Sequence, residues 1–141
     1  MEIGTFYING EFVTPKGTEK IALINPATEE EIGFVVAGNE EDVNLAVEAA
    51  NKAFLQASSL SQEERKTILT EILEGMAARR DEFAKAISEE MGAPLKMAAS
   101  AQYGAGTIHF KNTLAIIDQF KFTEEHGNIT LNRLPIGPVG M

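Results

Sequence analysis

The chain has no cysteine in its 141 residues, which removes disulfides, thiolate metal sites and thiol catalysis together. Basic residues are scarce: 12 Lys and Arg against 21 Asp and Glu give a formal charge of −9. Nucleic-acid binding rests on Lys and Arg neutralising phosphates, so a nucleic-acid partner is disfavoured. No basic patch with interleaved aromatics offsets that balance. No apolar run approaches the ~20 residues a membrane helix needs. The opening Met1-Glu2-Ile3-Gly4-Thr5 has neither the charged n-region nor the apolar h-region of a secretory signal. The expectation is a soluble, cytoplasmic chain with no membrane partner.

What is present fits a folded domain. Apolar residues make up 44% of the chain, enough for one domain with a modest core and too many for a disordered segment. Strands come first. Phe6-Tyr7-Ile8 and Phe12-Val13 flank Asn9-Gly10, a dipeptide that supplies the two positive-φ positions of a type I′ hairpin turn. Ile21-Ala22-Leu23-Ile24 follows a loop around Pro15-Lys16-Gly17 and is broken by Asn25-Pro26, because proline lacks the ladder N–H. Ile32-Gly33-Phe34-Val35-Val36 is a further strand.

From Asn39 the period changes from two to 3.6. Asn39 is placed to cap a helix with Val43, Val47, Ala50 and Phe54 on one face, and Glu40, Glu41 and Asp42 sit at the favourable end of its dipole. Ser61-Gln62-Glu63-Glu64 reads as a capping box ahead of an apolar stripe through Ile68, Leu69, Ile72, Leu73 and Met76. Asp81 opens a third helix, through Phe83, Ile87 and Met91, that Gly92 closes. Pro94 suits the first turn of a fourth, long helix to about Phe120. Its small residues, Ala98, Ala99, Ala101, Gly104, Ala105 and Gly106, point to close packing against another element. Beyond Gly127 alternation returns, with Ile129 and Leu131 on one side and Thr130 and Asn132 on the other. The alternation slips at Arg133-Leu134-Pro135, and Pro135 and Pro138 confine that stretch to a sheet edge. The expected organisation is strands over 1–38, helices over 39–122 and a strand region over 127–141. The fold class is α/β, reading as α+β when the chain is taken by itself.

No group of residues here composes an active site. The run Glu29-Glu30-Glu31 reads as a solvated surface, since adjacent carboxylates in a loop point different ways. His109 lies in a helix and His126 in a turn, neither with a partner at catalytic or metal-pair spacing. Gly104-Ala105-Gly106 is no phosphate loop, because it follows no strand and opens no helix. Ser58, Ser59 and Ser61 lack the glycine-flanked elbow of a serine nucleophile. Nothing supplies a nucleophile, a base and an oxyanion donor together. No catalytic, cofactor-binding or metal-binding residue is expected.

Four segments in order carry a resemblance. They are Phe6-Tyr7-Ile8-Asn9-Gly10-Glu11-Phe12-Val13, Asn25-Pro26-Ala27-Thr28-Glu29-Glu30-Glu31-Ile32-Gly33, Glu90-Met91-Gly92-Ala93-Pro94 and the terminal Arg133-Leu134-Pro135-Ile136-Gly137-Pro138-Val139-Gly140-Met141. Together they resemble the aldehyde dehydrogenase family, over the whole chain. The family implies oxidation of an aldehyde to an acid with NAD or NADP, through attack by a cysteine and an oxyanion-stabilising asparagine. In the family that asparagine follows the terminal run, and the cysteine and a general-base glutamate come much later. The resemblance thus implies an N-terminal portion with an incomplete dinucleotide-binding domain, inactive alone and binding no cofactor by itself. It also implies that 127–141 contributes an oligomerisation strand and the start of a cofactor-domain strand. Ile129, Leu131 and Leu134 would then pair with a second copy in a homo-oligomer. Many relatives hold a monovalent cation near the position of Ile24 with an Asp from the long helix. Here no Asp or Glu lies between Pro94 and Asp118, and that site is not carried over. The alternative is a short, non-catalytic assembly or binding module that pairs through its exposed terminal strand.

Overall fold

A computed structural model describes residues 2–140. The strands are β1 (Glu2–Ile3), β2 (Phe6–Ile8), β3 (Glu11–Val13), β4 (Lys20–Ile24), β5 (Glu31–Val36), β6 (Thr123–His126) and β7 (Ile129–Asn132). The helices are α1 (Glu40–Ser59), α2 (Gln62–Ala78), α3 (Arg80–Met91), α4 (Leu95–Met97) and α5 (Tyr103–Ile116). The mixed α/β class agrees with the sequence reading.

The chain divides into two compact units instead of one. The first runs to Ala57 and takes in Glu89–Gly92 and the segment from Gly137; the second comprises Ser58–Ser88 and Ala93–Ile136. The modest core expected from composition is also corrected. Among the described residues the buried apolar side chains are Ala84, Ala98 and Ile117. Each unit is small, and a small unit has too much surface for its volume to enclose large side chains.

In the first unit, β2 and β3 pair antiparallel across Asn9-Gly10, with Phe6 opposite Val13 and Ile8 opposite Glu11. Asn9 and Gly10 take φ of 55° and 84°, the left-handed pair a type I′ turn demands. A second sheet has the order β1-β5-β4. The sequence reading missed β1, whose two residues pair parallel with Phe34 and Val35 of β5. The β4–β5 ladder shifts register between Leu23 and Ile24, so that Leu23 faces Gly33 while Ile24 faces Glu31. Asn39 caps α1 as expected, its Oδ1 accepting the amides of Glu41 at 3.0 Å and Asp42 at 3.2 Å. The apolar stripe on α1 is covered only in part: Ala50 and Phe54 are half-buried, while Val43 and Val47 are exposed.

In the second unit, Ser61 caps α2 with the reciprocal capping box in place: the Ser61 hydroxyl accepts the Glu64 amide and the Glu64 carboxylate accepts the Ser61 amide at 2.7 Å. α3 starts at Arg80, one residue before the expected Asp81, and Gly92 follows its end with φ 70°. The long fourth helix is not uniform. After α4 the chain widens into a π turn, Ala98–Gln102, then resumes as α5 and tightens into a 3₁₀ turn, Ile117–Gln119. The Tyr103 amide donates to the Ala98 carbonyl, five residues back. A side chain from α3 bonds to this turn. Arg80 donates twice, at 3.1 and 2.7 Å, to the Ala99 carbonyl, within a stretch whose small side chains leave room for the wider turn.

Candidate functional site

The three residues expected at an interface sit on and just beyond the last hairpin. β6 was not foreseen: Thr123–His126 reads as the end of the helical region and a turn, yet it is the partner strand of β7. The pairs are Thr123 with Asn132, Glu124 with Leu131, Glu125 with Thr130 and His126 with Ile129. Opposed residues share a face. One face therefore carries Thr123, Glu125, Thr130 and Asn132, and the other carries Glu124, His126, Ile129 and Leu131.

The first face is closed on itself. Thr123 Oγ1 donates to Asn132 Oδ1 at 2.8 Å, and Thr130 Oγ1 donates to the Glu125 carboxylate at 3.0 Å. The second face is open and amphipathic. Ile129 is 67% exposed and Leu131 43%. Beside them Glu124 Oε1 lies 2.5 Å from Arg133 Nη1, and Glu124 Oε2 lies 3.2 Å from His126 Nε2. The Arg133 guanidinium is the main cause holding the Glu124 carboxyl below the usual glutamate range, with His126 and Lys121 adding to it. His126 is thus not isolated in a turn: period-two spacing brings it beside Glu124, a signal the sequence held once β6 is recognised as a strand.

Leu134 does not share the β7 face. It lies past the strand end, 79% exposed, and lines a groove of 540 Å³ together with Phe120, Phe122, Arg65 and Pro135. The alternation slips there because β7 ends at Asn132 and only the Arg133 amide, donating to the Phe122 carbonyl at 2.8 Å, continues the pairing. The hairpin is a two-stranded sheet among the described residues, so each strand presents an outer row of backbone donors and acceptors.

The first unit holds a second organised cluster that sequence reading passed over. Asp42, 4% exposed, accepts the amides of Lys16 at 2.8 Å, Gly17 at 2.9 Å and Asn39 at 3.0 Å. Both of its oxygens are turned to backbone amides, so its part is to fasten a loop. His109 lies on α5, and Gly104-Ala105-Gly106 lies inside that helix. Among the described residues no group of three or more His, Asp or Glu is arranged to hold a metal ion, and no helix is long and apolar enough to cross a membrane.

The model of the aldehyde dehydrogenase family matches residues 12–141, and the chain belongs to that family. It is 41% identical over 135 residues to a presumptive aldehyde dehydrogenase of Staphylococcus haemolyticus, covering 96% of this chain and 28% of that protein. Among solved structures, an aldehyde dehydrogenase of Bartonella henselae superposes with a TM-score of 0.87 at 36% identity, over 91% of this chain and 27% of its own length. An alanine mutant of aldehyde dehydrogenase C from Pseudomonas syringae, solved with NAD+ and octanal, superposes with a TM-score of 0.84 at 36% identity, over 87% and 25%. The chain thus spans little more than a quarter of the length of these relatives and matches an N-terminal portion of the family fold.

Proposed function

We propose that this chain is the N-terminal part of an enzyme that oxidises aldehydes to carboxylic acids with NAD or NADP, and that its own share of the work is folding and assembly. Family membership over residues 12–141 supports the reaction class. The lack of cysteine in this stretch supports the division of labour, since in the family the nucleophile is a cysteine. Aldehyde and dinucleotide are then bound by the longer protein, in the cytoplasm, and not by these residues alone.

The assembly role rests on the last hairpin. An edge strand with unpaired backbone groups and an apolar face is a template for a second strand. Ile129 and Leu131 on the open face, with Leu134 following, form the surface on which a second copy would pair to give a homo-oligomer. The closed polar face, with its hydroxyls already bonded, is the side left to solvent.

An antibody raised against this chain, applied to extract of the source cell, should detect a product several times heavier than 15.3 kDa. A product of that smaller size alone would replace this reading with a short assembly or binding module. The isolated chain given NAD+ and octanal should form no NADH. Turnover by this chain alone would overturn both readings.

A further inference from the structure

Three side chains on one face of α2 hold the point where the chain leaves α5 and enters the hairpin. Gln62, Arg65 and Lys66 stand three and four residues apart, on a single helical face. The Gln62 side-chain amide donates to the Ile117 carbonyl, and Lys66 Nζ donates to Asp118 Oδ2 at 2.7 Å. Both act on the 3₁₀ turn. Between them Arg65 donates to the carbonyls of Leu60 at 3.1 Å and Ser58 at 3.5 Å. Those bonds anchor its guanidinium with Cζ 6.0 Å from the centroid of the Phe122 ring.

From there the contacts run in series. Phe122 meets Phe120 edge-to-face, with centroids 4.9 Å apart and planes at 74°. The Arg133 guanidinium stands 5.6 Å from the Phe120 ring. Arg133 also donates to the Lys121 carbonyl at 2.9 Å and to Glu124 at 2.5 Å, so the strand start is gripped from both sides. Each contact is weak at an exposed site, but all four residues bear on the same short segment. A lone two-stranded hairpin is marginal in water. Its direction must come from what it leans on.

We infer that the ladder Arg65–Phe122–Phe120–Arg133 is a positioning device that pre-orients the β6–β7 hairpin for pairing with a second copy. This rests on the assembly reading above. A hairpin free to swing would lose that freedom on association, whereas one already held in place does not, so its partner binds more tightly. Arg65 and Phe120 lie outside the hairpin, whereas Phe122 and Arg133 continue the register of the Ile129 and Leu131 face beyond the strand ends, so the angle of the hairpin, and not association alone, separates positioning from direct contact.

Two measurements test the ladder separately from the assembly. In an Ile129→Glu/Leu131→Glu background, residual dipolar couplings report the angle of β6–β7 relative to α2. Arg65→Leu and Phe122→Leu should each change the hairpin couplings while those within α2 and α5 stay, and Phe122→Tyr, which keeps a ring, should leave them native. Unchanged hairpin couplings in Arg65→Leu overturn the positioning role whether or not the chain assembles. In the otherwise native chain, sedimentation equilibrium should show association weakened by about two- to fivefold in Arg65→Leu, with Phe122→Tyr unaffected. Equal weakening by Phe122→Tyr and Phe122→Leu would overturn the ladder in favour of plain apolar packing. Association that survives Ile129→Glu/Leu131→Glu intact would overturn the assembly reading instead, and the couplings would show which of the two had failed.

Discussion

Asp42 Oδ2 accepts the backbone amide of Gly17 at 2.9 Å, across a separation of 25 residues. With Lys16 on Oδ1 and Asn39 sharing Oδ2, one side chain ties the loop after β3 to the start of α1. Asp42→Ala would leave three amides without their acceptor, and such orphaned donors cost more than the bond itself is worth. Thermal unfolding should show Tm lowered by about 5 °C or more. An unchanged Tm would mean that water replaces the carboxylate and that the clasp contributes nothing.

The same contact fixes a pH dependence. The Asn39 amide, then the Lys16 amide, holds the Asp42 carboxyl below the usual aspartate range; burial opposes them, and the Gly17 amide and the Lys16 charge add to the lowering. A carboxyl lowered in the fold contributes stability that is complete above the ordinary aspartate value of about 3.9 and is lost as pH falls through the lowered one. Native chain should therefore lose more stability than Asp42→Asn between pH 5 and strongly acidic solution. Parallel acid-unfolding curves for the two would contradict it.

Ser61 is a local test of the second unit. Its hydroxyl accepts the Glu64 amide and donates to the Glu64 carboxylate at 2.6 Å. Ser61→Ala removes the cap and should cost about 1 kcal/mol in denaturant unfolding, with α2 fraying first in hydrogen exchange. Ser61→Asp restores an acceptor and should recover most of the loss. Recovery failing while the helix stays native would show that Glu64, not the cap, fixes the turn.

The pairing face gives the fourth expectation. Charges at Ile129, Leu131 and Leu134 together should abolish self-association on sizing chromatography, because burying an unpaired carboxylate at an edge outweighs the ladder it would join. A triple Glu variant that keeps the native oligomeric state would remove the hairpin from the assembly role. The same charges on the bonded face, at Thr130 for example, should leave association unchanged.

Legibility in the sequence followed the range of the interaction. Asn9-Gly10, the Ser61 capping box and Gly92 each carry their geometry within a few residues, and each stands where its chemistry places it. β1 escapes because two residues have no period, and its parallel partner lies some thirty positions away. β6 escapes because Thr123-Glu124-Glu125-His126 has no apolar alternation; cross-strand bonds and an Arg133 ion pair make it a strand. Asp42 was readable as a charge suited to a helix start, while its three amide partners come largely from a loop that closes by tertiary contact. The π turn is a single extra residue in a helix of unchanged composition, and the Arg80 side chain that bonds to it comes from nineteen residues away.

The small residues of α5 separate what this chain packs from what a longer protein would. A Cβ at Gly106 would stand 3.6 Å from Met76 Cε, ordinary contact with α2, whereas a Cβ at Gly104 meets nothing within 4 Å. Within the isolated chain, then, Gly104 costs helix stability and gains no packing. Gly104→Ala should stabilise it by about 0.5–1 kcal/mol, since alanine is the better helix former where space is open. In a longer protein that lays another element on this face of α5, the same methyl would meet atoms and the sign should reverse. Denaturant unfolding of both forms reads the difference directly. Stabilisation by the same amount in both would leave Gly104 with no packing role in either.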